Sequence, residues 1–162
     1  MPANTTDETQ WEAVEEAAEL LAEGQEAQAL EVLRDVVRAD PRNPYGYHLV
    51  GVALSQLSQL EAARDAFRAA VRLAPDYLGA RVGLSHTLRL LGQRDGALTQ
   101  AKEALRRFPG NVEARAAVRL AGKVDDEVDE GGLERQLQSD SPEPPEEPDW
   151  EGLRVLTGGR DD

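Results

Sequence analysis

Two histidines, His48 and His86, are the only imidazoles in the 162 residues, and there is no cysteine. Without cysteine there is no disulfide, no thiolate nucleophile and no cysteine-ligated zinc or iron–sulfur centre. A metal held by the two histidines would need further ligands at matching spacing, and the sequence offers none. They are expected instead to serve as polar groups in a binding groove, each giving or taking one hydrogen bond. Ser85 and His86 are consecutive, which on a helix points them about 100° apart, so they form no nucleophile–base pair. Glu12, Glu15, Glu16 and Glu19 recur at helical spacing and read as a solvated face. No glycine-rich phosphate loop, Gly-x-Ser-x-Gly elbow or His-Glu-x-x-His pair is present. The expectation is a protein that is not an enzyme and carries neither cofactor nor metal.

Charge narrows the class of partner. The chain has 18 basic and 31 acidic residues, a net of -13. That balance argues against nucleic acid, whose phosphates need surplus Lys and Arg. Residues 125–162 hold 14 acidic and 3 basic residues, so most of the excess lies there. The same stretch carries Pro142, Pro144, Pro145 and Pro148, a composition that buries too little apolar surface to offset ordering entropy. It reads as a disordered acidic tail, with an apolar island at 150–156 formed by Trp150, Leu153, Val155 and Leu156. Such an island is a candidate docking motif, for a separate partner or for the chain's own groove. Residues 1–33 carry 9 acidic and no basic residues, whereas 78–124 carry 9 basic and 3 acidic. Aromatics make up 4%, sparse for a strand-rich core and ample for a helical one. No apolar run reaches the roughly 18–20 residues of a membrane span. Residues 1–9 read as a flexible N-terminus without a leader, and the chain as cytoplasmic.

The elements that position these residues emerge from comparing the chain with itself. Pro41, Pro75 and Pro109 are spaced by 34 residues. Twelve residues before each stands alanine (Ala29, Ala63, Ala97), and twenty-one before each stands leucine (Leu20, Leu54, Leu88). Twenty-four before each the residue is small: Ala17, Gly51, Ser85. The alanines suit close helix crossings and the leucines suit core anchors. Gly24 and Gly92 suit the left-handed turn between paired helices, where Ser58 in the middle copy implies modest strain. The prolines end each second helix. Asn43 before Pro44, and Asn111, read as N-caps.

This pattern resembles the tetratricopeptide repeat, a 34-residue helix–turn–helix with small residues and a proline at set positions. The copies fall at 10–43, 44–77 and 78–111, and the middle one matches best, through Tyr47, Val50, Gly51, Leu54, Ala63, Phe67, Ala70 and Pro75. The first copy departs from the pattern at Glu16. An amphipathic helix at 112–124 reads as the cap that a solenoid end requires. The resemblance implies an all-α, right-handed solenoid over 10–124 whose first helices line a concave groove.

It further implies that the groove holds a peptide or helix of a partner protein. Its expected lining is Trp11, Val14, Leu21, Tyr45, His48, Leu49, Val52, Val82, His86, Arg89 and Leu120. Members that grip acidic heat-shock chaperone tails use Lys, Asn and Arg at positions occupied here by Val14, Ala18, Leu49, Gly79 and Gly83. Those tails are therefore not the expected ligand. An interaction adaptor is the leading expectation. The alternatives are a chaperone for an apolar segment of a secretion or assembly client, and head-to-tail self-association of the acidic first repeat with the basic third.

Overall fold

The computed structural model describes residues 5–123, which form seven helices: α1 (Thr5–Ala22), α2 (Glu26–Ala39), α3 (Pro44–Gln56), α4 (Leu60–Leu73), α5 (Leu78–Leu90), α6 (Arg94–Arg107) and α7 (Val112–Gly122). Boundaries follow local chemistry. Asp40, Ala74 and Phe108 end α2, α4 and α6 in non-helical backbone, with φ of -134°, -137° and -128°. Each precedes a proline, whose ring disfavours helical backbone in the residue before it. The Asn43 side chain accepts hydrogen bonds from the Tyr45 and Gly46 amides, and Asn111 accepts from the Ala114 amide. Both expected N-caps therefore satisfy orphan donors at a helix start.

The turns within the three helix pairs share one geometry. The amides of Gln25, Gln59 and Gln93 donate back to the carbonyls of Leu20, Leu54 and Leu88, each at 2.8 Å. Closing that loop requires a left-handed residue, supplied by Gly24 at φ 75°, Gly92 at φ 78° and, against its side chain's preference, Ser58 at φ 60°.

Two boundaries differ from the sequence reading. Helix α1 begins at Thr5, inside the stretch 1–9 expected to be flexible, because no glycine or proline follows Pro2 to stop it. Helix α7 ends at Gly122, two residues short of 124. Tail residues 125–162, with Trp150, Leu153, Val155 and Leu156, lie outside the described residues. Among the described residues, no helix is long and apolar enough to cross a membrane.

A main core runs through the pairs, with a smaller cluster of Tyr47, Ala69, Ala70 and Ala80 beside it. Ala29, Ala63 and Ala97 are fully buried, as are Leu33 and Leu54. Phe67 of α4 wedges between two glycines: a Cβ on Gly51 of α3 would stand 2.8 Å from its ring, and one on Gly83 of α5 2.5 Å. The ring thus fills the slot between one pair and the next. The two buried hydroxyls of α5 are satisfied, Ser85 donating to the Ala97 carbonyl and Thr87 to the Gly83 carbonyl, each at 2.8 Å. Arg81 ties α5 to its neighbours, giving hydrogen bonds to the Pro75 carbonyl at 2.8 Å and to Gln100 at 2.9 Å. Glu16 stays exposed, and α1 packs through Ala17 instead.

The stacking has a defined inside. Helices α1, α3, α5 and α7 touch in sequence, whereas α2, α4 and α6 touch no other even-numbered helix. The even helices therefore splay apart, and the odd helices gather on the inner, concave side.

Candidate functional site: the wall of the odd helices

An aromatic run crosses the starts of the first three odd helices. Trp11 of α1 meets Tyr45 of α3 edge-on at 6.3 Å between ring centres, and Tyr45 meets Tyr77, the residue before α5, at 5.1 Å. Tyr77 also contacts His48 at 4.8 Å, and His48 lies 5.8 Å from Phe67. Trp11 is 56% exposed and Tyr45 48% exposed, so each gives an edge to solvent. The Trp11 indole donates to Glu15 at 2.9 Å, which holds the ring in place. Offset and edge-on rings of this kind are stiff platforms with a large contact area.

His48 is half-buried behind this run. Gly79 makes room for it, since a Cβ there would stand 3.1 Å from the imidazole. Burial holds its pKa below the usual histidine value, so the ring is neutral at pH 7, and its Nδ1 has no hydrogen-bond partner among the described residues. Burial also pushes the Tyr77 hydroxyl up to about 12, with Tyr45 adding to the shift.

Beyond the rings the wall turns aliphatic. Leu49, Val52 and Val82 are half-buried, and Leu120 of α7 is 43% exposed. The far end is polar: His86 is exposed, with Arg89 at 3.4 Å from its Nδ1. Burial and then the Arg89 charge keep the His86 pKa low. Two expected wall residues belong elsewhere. Leu21, 7% exposed, packs in the core of the stack, and Val14, also 7% exposed, lies beneath Trp11 at the floor of a recess and not on the open wall.

Two features were missed in the sequence. Tyr77 precedes its helix, so helical periodicity does not place it, and its 32-residue distance from Tyr45 is off the 34-residue repeat. The second is an open recess of roughly 540 Å³ between α1 and the α2–α3 turn. Glu8, Glu12, Asp40 and Trp11 line it, and only the fold brings Asp40 to that place. The recess gives one end of the wall a negative potential. Among the described residues, no group of three His, Asp or Glu side chains is arranged to hold a metal ion.

Comparison with known proteins agrees with this geometry. A model of the tetratricopeptide repeat matches residues 44–77, the bounds read for the middle copy. Anaphase-promoting complex subunit 7 of Arabidopsis thaliana is 36% identical over 96 residues, covering 59% of this chain. The chain spans only 16% of that relative's length. Among solved structures, the Arabidopsis OM64 TPR domain superposes with a TM-score of 0.68 at 17% identity, over 74% of this chain and 99% of that one. The second TPR domain of human RPAP3, in complex with an HSP70 peptide, gives 0.67 at 20% identity, over 72% and 98%. At such identities the likeness establishes the fold.

Proposed function

Since this chain is a tetratricopeptide-repeat protein, we propose that it is a non-catalytic interaction module whose odd-helix wall binds a peptide or helix of a partner protein. The observation that carries the reading is the continuous wall itself: exposed Trp11 and Tyr45, then half-buried Leu49, Val52 and Val82, then His86 and Arg89. Rigid aromatics beside aliphatics suit an apolar segment presented as a helix or extended strand.

The wall also constrains the ligand. RPAP3 is seen with a heat-shock peptide ending in Glu-Glu-Val-Asp. Here Val14, Ala18, Leu49, Gly79 and Gly83 present no side-chain donor to a carboxylate. The acid-lined recess beside Trp11 further disfavours an acidic ligand and suits a Lys or Arg side chain. The ligand is therefore an apolar segment with a basic residue at the end lying over α1.

Peptide-library panning against the full chain tests this. Binders are expected to be apolar and basic, and Leu49→Glu with Val82→Glu should weaken them at least tenfold. Leu73→Glu, at an exposed site on α4, should leave affinity unchanged. Circular dichroism on each variant separates lost binding from lost fold. Binding that survives the Leu49/Val82 change would overturn the reading. If the partner precipitates whenever this protein is absent, the module acts as a chaperone; a partner that stays soluble makes it an adaptor.

A further inference from the structure

Among the described residues α7 is the last helix of the stack, and it presents a cationic face. In α1, α3 and α5 the equivalent positions Ala17, Gly51 and Ser85 are buried. Gly51 lies against Phe67 of the following helix, and Ser85 bonds the Ala97 carbonyl of the following helix. In α7 that position is Arg119, which is exposed. A second helix could not pack closely onto an arginine there, and among the described residues no helix covers this face. Arg115, Arg119 and Lys123 recur every fourth residue and so form one stripe along it.

These cations have no counter-charge among the described residues: none of the three takes part in an ion pair there. Arg107, by contrast, is engaged by Glu103 and Asp76, and Arg106 by Glu103. The chain that continues from α7 has the opposite sign, since residues 125–149 contain 11 acidic residues and one basic residue. Acidic groups just beyond a helix C-terminus also meet the negative end of the helix dipole, an unfavourable placement unless cations offset it.

We propose that the acidic segment 125–149 folds back and covers the Arg115–Arg119–Lys123 stripe of α7. Reach is ample: eight helical residues separate Arg115 from Lys123, about 12 Å. A segment of 25 residues can extend to at most about 80 Å, several times that distance. Covalent attachment supplies an effective concentration on the order of mM, enough for individually weak surface pairs to act together. Covering the stripe neutralises the basic end of the stack and withholds it from acidic partners. This contact is independent of the odd-helix wall and stands whether or not that wall binds a peptide.

The absence of cysteine gives a clean test on the full chain. Ser139→Cys carrying a nitroxide label should broaden the α7 amide resonances at low ionic strength. The broadening should disappear at about 0.5 M salt, where the Debye length is well below 10 Å, and in the Arg115→Gln, Arg119→Gln, Lys123→Gln variant. No broadening at low salt, or broadening that persists in both arms, overturns the proposal. A mixture of labelled chain with unlabelled, nitrogen-15-enriched chain that shows the same broadening also overturns it, by assigning the stripe to a second copy.

Discussion

Ser58 shows how one side chain departs from its repeat without breaking it. It holds φ 60° where Gly24 and Gly92 hold 75° and 78°, and it makes the same backbone turn. A left-handed conformation costs an L-residue roughly 1–2 kcal/mol, partly regained here through unfolded-chain entropy. Ser58→Gly is therefore expected to raise stability by about 0.5–1 kcal/mol in urea denaturation; a loss would mean the serine side chain contributes something the turn geometry does not reveal. His48 offers a second residue-scale test. Burial lowers its folded pKa below the unfolded value of 6.5, so the fold favours the neutral ring. The stabilisation is thus complete above pH 6.5 and fades as pH falls below it, since the unfolded chain takes up the proton first. The rings packed on it, Tyr77 and Phe67, bring no charge to compensate. His48→Phe should flatten the decline in melting temperature between pH 6.5 and pH 5, leaving only the share from His86.

Each helix is specified mainly by its ends. The Asn43 and Asn111 caps, the left-handed turns and the prolines after each second helix recur at repeat spacing and could be read directly from residue types. Helix α7 depends most on such local terms, because among the described residues no following helix packs against one of its faces. Asn111→Ala removes the acceptor of the Ala114 amide and is expected to cost about 1 kcal/mol. Hydrogen exchange should locate that loss in α7, with α1 and α2 unchanged. The start of α1 was the boundary least legible in sequence. Residues 5–9 carry no stop signal, so the helix runs on to Thr5.

At the scale of the whole molecule, the stack behaves as a chain of nearest-neighbour contacts. Odd helices meet odd helices and each pair meets only the next, so a defect should stay local. Ala97→Leu, at the fully buried crossing of α5 and α6, is expected to cost about 1–3 kcal/mol by overpacking. Amide exchange should accelerate in α5, α6 and α7 while α1 and α2 keep their protection. Uniform acceleration across all seven helices would mean that the stack unfolds as one unit.

The fold was legible from the sequence because a repeat states its rules three times: identical alanines, leucines and prolines at fixed offsets admit one arrangement of short helices. The wall was legible only in part. Helical periodicity tells which residues share a face, but two neighbouring faces of one helix differ by a single step. Leu21 therefore went to the core and Val14 to the floor of the recess, whereas Tyr45, Leu49 and Val52 stayed on the wall. What the tertiary structure alone decided was proximity between distant segments: Tyr77 beside Tyr45 and His48, Phe67 between two glycines, Asp40 facing Glu12 across a recess. Those neighbours are set by the rotation from one helix pair to the next. That rotation depends on how whole side chains fit together in three dimensions, which no spacing along the chain records.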